Sequence, residues 1–245
     1  MTIQPGDKEA SHTHKEVGHT HQDVSGGWLR PAVFGAMDGL VTNIGLVAGV
    51  GGGGADRHLI VLTGMAGLVA GAFSMALGEY ASVETQNDSV QAEVEVERDE
   101  LRRHPAAEEA ELAASYVQMG LSRETAKRVA EEVHADPALA VRVHIAQELG
   151  VNPDEQPSPW VAAMSSFLCF ALGALIPLLS YLLGFDSLVT SLAAGAVGLF
   201  AAGTVASRFT TRPWWLGGLR QLGFGVIAAV ATYLVGHLIG VGTAG

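Results

Sequence analysis

The stretch PAVFGAMDGLVTNIGLVAGVGGGG, residues 31–54, contains one charged side chain, Asp38, among its 24 residues. At a rise of 1.5 Å per residue, a helix of this length crosses a hydrocarbon core about 30 Å thick. Four similar apolar stretches follow it, and none shows the alternation typical of β-strands. The five predicted spans are 31–54, 58–80, 160–184, 187–207 and about 222–241. The sequence therefore predicts an all-α membrane protein with five transmembrane helices.

The composition of the whole chain agrees with this prediction. Hydrophobic residues make up 49% of the 245 residues and charged residues only 16%, and the mean hydropathy is +0.30. These values are too apolar for an ordinary soluble domain. The net charge of −11 argues against a nucleic-acid partner, which requires a basic face. The single cysteine, Cys169, excludes an internal disulfide framework and a cysteine-rich zinc or iron–sulfur site.

Most of the negative charge lies in one segment between the second and third spans. Residues 84–155 hold 17 acidic and 7 basic side chains, a local net charge of −10. The second span is expected to continue as a helix to Arg103, because the first break is His104-Pro105. Three helices are predicted after it: one from Pro105 to near Gly120, one capped by Ser122, and one from Asp136-Pro137 to Gly150.

The predicted organisation has four parts. They are a polar, histidine-containing tail (1–27), the first two spans (28–80), an acidic helical domain (81–159) and the last three spans (160–245). With the N-terminus inside, Lys8, Lys15, Arg30, Arg208 and Arg212 lie on the cytoplasmic side, as the positive-inside rule requires. The tail and the acidic domain are therefore expected in the cytosol. The tail lacks the apolar core of a signal peptide, and the alanine- and glycine-rich spans favour a bacterial cell membrane over a vacuole.

Small residues recur at four-residue spacing within the spans. The pairs are Gly35 and Gly39, Gly45 and Gly49, Gly67 and Gly71, and Gly236 and Gly240. Such spacing lets two helices approach closely in lipid. The pattern is common in membrane proteins, and it makes a homodimer plausible.

Asp38 is the most informative polar residue within the spans. It lies about seven residues beyond Pro31, and therefore roughly 10 Å along the helix. A carboxylate at such depth costs on the order of 2.5–3.5 kcal/mol on insertion scales. Asp38 is therefore expected to face a partner or a water-filled path. The alternative is a packing hydrogen bond to Thr42 or Asn43.

Met75 and Glu79 share one helix face near the inner end of the second span. A methionine at helical spacing is usually part of a core, but beside an intramembrane carboxylate it can be a soft metal ligand. Asp38, Met75 and Glu79 together are the predicted transport path. His237, in the fifth span, is interpreted as a packing histidine.

The acidic domain repeats a carboxylate spacing that can hold a cation. Glu97 and Glu100 share a helix face, and a second pair of the same spacing follows the proline break. The candidate metal ligands are Glu97, Glu100, Glu108, Glu111, His144 and Glu148. Oxygen ligands with an imidazole suit Fe²⁺, Mn²⁺ or Zn²⁺. The alternative is a solvated acidic face whose carboxylates pair with the arginines at 98, 102 and 103.

The strings FGAMDGLVTN (34–43) and AGAFSMALGEYASV (70–83), together with the glutamate-rich insert, resemble the vacuolar iron transporter (VIT) family. The resemblance covers about residues 28–245 and is to a bacterial-type member with a cytosolic metal-binding domain. It implies a dimeric five-helix transporter rather than an enzyme. It also implies that Fe²⁺, and often Mn²⁺, leaves the cytosol by proton antiport, the metal being a substrate and not a cofactor.

The resemblance carries roles to individual residues. It places Glu97, Glu100, Glu108, Glu111 and Glu148 at the family's cytosolic metal-binding positions, and Asp38 and Met75 on its translocation path. Two positions depart from the pattern. His144 stands where well-studied relatives carry a methionine, which makes the ligand harder and affects the selectivity for iron over zinc. Residues 64–67 lack the acidic side chain that some relatives place early in the second span.

Two other functions fit parts of the pattern. A membrane-anchored di-iron ferroxidase would need two glutamates and two Glu-x-x-His motifs on four long helices, whereas this chain offers one motif, Glu131 to His134, on a short helix. An iron sensor would bind cytosolic metal without moving it, but it has no use for a carboxylate buried at the position of Asp38. The tail's His-Thr-His repeats at 12–14 and 19–21 can bind metal weakly and are equally consistent with a linker.

Overall fold

The computed structural model of the protein describes residues 27–152, 155–209 and 213–243. These residues form eight α-helices and no strand: α1 Leu29–Gly52, α2 Arg57–Arg103, α3 Pro105–Gln118, α4 Arg123–His134, α5 Pro137–Glu148, α6 Pro159–Leu182, α7 Leu188–Ser207 and α8 Trp214–Thr243. The histidine repeats of the N-terminal tail, with Lys8, Lys15 and Arg212, lie outside the described residues.

Five of these helices are long and apolar enough to cross a membrane, which confirms the predicted number of spans. They are α1, α2, α6, α7 and α8. Helices α1, α6 and α7 begin and end within about two residues of the predicted spans. Helix α2 begins at Arg57 and continues beyond its span to Arg103, as predicted, but α8 begins at Trp214 rather than near Leu222. The early start has a packing reason. Gly217 lies directly against Gly203 of α7, and Gln221 is buried there, so one side of this helical start packs on α7 while Trp214 and Trp215 stay exposed.

The segment between the second and third spans is helical throughout most of its length. Helix α2 runs without a break for 47 residues and ends at Arg103 with His104 as its C-cap, and Pro105 occupies the first turn of α3. The side chain of Ser122 accepts a hydrogen bond from the backbone N–H of Thr125 at the start of α4. Asp136 caps α5 in the same way. These local signals divide the segment into an extension of α2 followed by α3, α4 and α5.

Two apolar clusters hold these four helices together. One joins α3, α4 and α5 through Leu112, Ala130, Val133 and Ala140. The other joins α2 to α5, and its buried members are Val94, Val141 and Ile145. Because both clusters include α5, that helix is fixed beside the extension of α2.

Helix α1 lies at the centre of the membrane bundle and packs against α6, α8, α2 and α7. Its glycines make the closest approaches. Gly35 and Gly39 face backbone carbonyls of α6, and Gly236 and Gly240 of α8 face the last turn of α1. The order of these contacts shows that α1, α6 and α8 run parallel to one another.

All four glycine pairs contact neighbouring helices of the same chain. Besides the α1–α6 and α1–α8 contacts, the pair at 45 and 49 faces Thr232, and the pair at 67 and 71 faces Leu46 and Phe170. The spacing is therefore explained by packing within one protomer. It supplies no argument for a homodimer.

Replacing Gly39 by valine is expected to destabilise the bundle. A Cβ atom at this position would collide with the carbonyl oxygen of Phe170. This oxygen belongs to the backbone of α6, so it cannot shift unless the helix itself moves. Overpacking of this kind costs about 1–3 kcal/mol. Gly78→Val is the matched control, because among the described residues no heavy atom lies within 4 Å of its Cβ position. Melting temperatures of the purified proteins in one detergent would test this, and equal losses in both variants would contradict it.

Candidate metal centre and intramembrane cavity

Three helices of the acidic domain each contribute one side chain to a buried cluster. Glu97 comes from α2, Glu108 from the first turn of α3 and His144 from α5, and their ligand atoms lie within 4.8 Å of one another. His144 Nδ1 is 3.0 Å from Glu97 Oε1 and 3.7 Å from Glu108 Oε2. The break at His104-Pro105 turns α3 back, so that glutamates from both sides of the break converge.

Burial distinguishes this cluster from a solvated acidic face. His144 is 2% exposed and Glu97 is 6% exposed, and the side chain of Glu108 is 12% exposed. Despite its short distance to His144, Glu97 Oε1 accepts no hydrogen bond from the described part of the chain. A buried carboxylate oxygen without a donor is costly. A bound divalent cation would remove that cost.

The other predicted ligands surround these three. Glu148 Oε1 is 3.7 Å from His144 Nδ1, on a side chain that is 47% exposed. Glu111 is close enough for its charge to act on both Glu97 and Glu148. Glu100 is directed elsewhere, because its Oε2 lies 3.1 Å from His104 Nδ1. The structure thus places Glu97, Glu108 and His144 inside and Glu111 and Glu148 at the rim, whereas Glu100 turns to His104.

The three arginines considered as partners of the site carboxylates pair with other residues. Arg98 pairs with Glu95 at 2.6 Å. Arg102 and Arg103 both pair with Asp99, at 3.1 and 2.7 Å. Glu95 and Asp99 lie on the exposed side of α2. The structure therefore does not show the alternative in which these arginines pair with the candidate metal ligands.

The protonation properties of the site follow from burial and from mutual repulsion. Burial, with smaller contributions from the charges of Glu148, Glu108, Glu111 and Glu100, raises the pKa of Glu97 to about 7. Burial is also the largest cause of the raised pKa of Glu148. The pKa of His144 is lowered, first by burial and then by His134. A neutral imidazole is the form that binds metal.

His134 is a member of this site that the sequence interpretation assigned only to a di-iron motif. Its Nε2 lies 3.1 Å from His144 Nε2, on the ring edge away from the glutamates. Its supposed motif partner, Glu131, is exposed and lies 3.6 Å from Lys127. The sequence feature that could have indicated the contact between His134 and His144 is the short connection between α4 and α5. It brings the last residue of α4 close to α5.

The raised pKa of Glu97 predicts how the metal-free protein responds to pH. Because the folded protein holds this proton more tightly, the contribution to stability is complete below about pH 4.5 and is lost as the pH rises through about 7. His144, with its lowered pKa, acts in the opposite direction. Comparison with Glu97→Gln isolates the first effect. We expect this variant to melt above the wild type at pH 8, and the gap to narrow at pH 5. A gap independent of pH would contradict this.

A separate cavity of about 890 Å³ extends into the membrane bundle from the first turn of α1. Asp38 of α1 and Met75 of α2 both line it, together with residues of α7 and α8 that include Gln221. Thr42 Oγ1 donates a long hydrogen bond of 3.5 Å to Asp38 Oδ1. Asn43 instead donates to the carbonyl oxygen of Ala174 at 2.5 Å. The carboxylate therefore faces open space as well as Thr42.

The cavity brings together two of the three predicted path residues. Glu79, one turn beyond Met75 on α2, is half-buried and is not among the residues that line it. Within the described residues, its Oε2 atom is buried without a hydrogen-bond partner. Within residues 64–67, which lack a carboxylate, Gly64 and Gly67 pack on leucine side chains.

Known proteins resemble this chain over nearly all of its length. The sequence profile of the VIT family matches residues 29–237, from the start of α1 into α8. Vacuolar iron transporter 1 of Oryza sativa subsp. japonica is 30% identical over 230 residues, 93% of this chain and 91% of that protein. The vacuolar iron transporter of Acanthamoeba castellanii is 36% identical over 223 residues, 86% of this chain and 78% of that protein. The matched region contains both candidate sites.

Proposed function

This chain belongs to the VIT family, and from that premise we propose that it exports Fe²⁺, and with it Mn²⁺ or other divalent transition metals, from the cytosol. It is a multi-pass membrane protein with five apolar spans, and its relatives are named as iron transporters, not as enzymes. The metal is thus its substrate and not a resident cofactor.

The observation that carries the proposal is the pairing of Asp38 with Met75 in one membrane cavity. The two residues are far apart in sequence and come from different helices. A carboxylate attracts divalent cations in general, whereas a thioether favours softer ions such as Fe²⁺ over Mg²⁺ or Ca²⁺. The carboxylate of Asp38 would not be retained in lipid without such a use, since intramembrane carboxylates are costly.

The acidic domain is proposed to collect the metal before transport. Its net charge of −10 over residues 84–155 raises the local concentration of cations. Glu97, Glu108 and His144 form the buried part of the binding site, with Glu148 beside them. About 33 Å of continuous helix separates Glu97 from Met75 along α2. Capture and translocation are therefore separate steps at separate sites.

Proton antiport is the proposed source of energy. A carboxylate binds a metal ion only in its deprotonated form. A proton that reaches Asp38 from the far side would therefore displace the metal, and a metal arriving from the cytosol would displace the proton. Exchange of this kind needs no moving part beyond alternating access to the cavity.

The proposed orientation places the N-terminus and the acidic domain in the cytoplasm. All four tryptophans, Trp28, Trp160, Trp214 and Trp215, are exposed at the start of α1, α6 or α8. These three helices run parallel, so the tryptophans form a belt at one face of the bilayer. Arg30 and Arg208 lie at the same face, which supports a cytoplasmic assignment. The alanine- and glycine-rich spans favour a bacterial cell membrane, and the functional unit is proposed to be a homodimer.

Transport by purified protein in liposomes tests the proposal. A metal-quenched dye inside the vesicles reports Fe²⁺ or Mn²⁺ entry, and a pH dye reports proton movement. We expect metal entry to depend on an imposed proton gradient and to be accompanied by proton flow in the opposite direction.

The same experiment distinguishes the alternatives. Metal entry without opposite proton movement would reject the antiport mechanism. Binding of metal without any entry would reject transport and favour a membrane-bound iron sensor. Consumption of O₂ on addition of Fe²⁺ would instead indicate a ferroxidase.

A further inference from the structure

The contact between His134 and His144 joins the last residue of α4 to the middle of α5. The two Nε2 atoms are 3.1 Å apart, and the rings meet edge to face with centroids 5.2 Å apart. In an Nε2–Nε2 hydrogen bond one ring must donate and the other must accept. The direction of this hydrogen bond therefore decides which nitrogen of His144 carries its proton.

We propose that His134 is a positioning residue that presents Nδ1 of His144 to the metal. The inference rests on the proposed function, in which Glu97, Glu108 and His144 hold the captured ion. When His144 donates its Nε2–H to His134, its Nδ1 is unprotonated, and this nitrogen lies 3.0 Å from Glu97 Oε1 and 3.7 Å from Glu108 Oε2. In the other tautomer Nδ1 carries the proton, has no free lone pair and cannot bind a metal.

Burial makes this partner necessary. Because His144 is 2% exposed, water cannot replace a lost hydrogen bond to Nε2. Without His134 the buried N–H would be unsatisfied, which is unfavourable. The ring would then favour the tautomer with its proton on Nδ1, 3.0 Å from Glu97 Oε1. His134 thus shifts the tautomer balance toward the metal-binding form, and its hydrogen bond makes Nδ1 a better ligand.

The geometry separates this role from that of a ligand. His134 approaches His144 on the ring edge opposite to Nδ1, and it is not among the three side chains whose ligand atoms converge. Removing it should therefore weaken binding without changing the number of ions bound.

Metal binding by full-length protein in detergent tests the inference. The probes are Zn²⁺ and Mn²⁺, followed by calorimetry, and Co²⁺, whose visible absorption reports the ligand set. The variants are His134→Leu, His134→Gln and His134→Asn. A glutamine places its amide where Nε2 stood, whereas asparagine is one methylene too short.

We expect His134→Leu and His134→Asn to bind about 10–100-fold more weakly, the usual effect of losing an outer partner of a ligating histidine. His134→Gln should bind within about threefold of the wild type, because its amide can accept the Nε2–H, and should show the same Co²⁺ spectrum. The number of ions per chain should stay unchanged in all three. If His134→Leu fails to fold, the comparison of His134→Gln with His134→Asn tests the same inference.

Wild-type affinity in His134→Leu or His134→Asn would overturn the inference. Loss of one bound ion per chain would also overturn it, because His134 would then be a ligand. Failure of the proposed function has a different signature: wild-type protein would bind metal with the His134 dependence described above, yet would move none in liposomes. If the wild type transports metal and the His134 variants bind metal as tightly as the wild type, only the role of His134 is rejected and the proposed function stands.

Discussion

Asp38→Asn is expected to reduce metal transport in liposomes to the level of protein-free vesicles, while metal binding by the acidic domain stays at its wild-type value. Asparagine keeps the size of the side chain and can still accept a hydrogen bond from Thr42. It cannot alternate between a metal-bound and a protonated form. Since Glu97 lies about 33 Å beyond Met75 along α2, the capture site should not sense the change.

The control for this prediction is Asp186→Asn, the same chemical change between α6 and α7. Asp186 is exposed and is not among the residues that line the cavity. Transport should be unaffected in this variant. Full transport by Asp38→Asn would show that the cavity of Asp38 and Met75 is not the path.

Glu97→Gln is expected to lower the affinity of the acidic domain for metal by more than about 100-fold, beyond the 10–100-fold effect of an outer partner. Glutamine fills the same volume but removes the charge of the most buried carboxylate in the cluster. The amide also places a donor group beside His144 Nδ1, which lies 3.0 Å from Oε1. Titration of purified protein with Mn²⁺ or Zn²⁺ would measure the loss.

Glu95→Gln is the matched control on the same helix. Glu95 is 68% exposed and pairs with Arg98 on the opposite side of α2 from the cluster. Its loss should change the affinity by less than about twofold, as expected for a solvated surface charge. If both variants weakened binding equally, the domain would act through its overall charge, and the buried cluster would not be the binding site.

The predicted path residues show how much of the site can be identified from the sequence pattern and the family resemblance. Asp38 and Met75 could be selected because an ionisable group and a sulfur ligand are rare within apolar spans. Their shared cavity required the packing of α1 and α2 against α7 and α8. Glu79 satisfied the same local criterion, yet it does not line the cavity. Helical periodicity assigns a residue to a face but does not state what that face contacts.

Local signals in the chain are sufficient for the number of spans, for the breaks at His104-Pro105 and Asp136-Pro137, and for the acidic character of the insert. Each depends on residues within a few turns, where apolar length, proline and capping side chains act directly. Tertiary packing decided the rest: which helices the glycine pairs approach, why α8 can begin at Trp214, and how His134 meets His144. These contacts join residues on different helices, and the free energy of such contacts depends on how closely whole helices fit together. One helix alone does not contain that information.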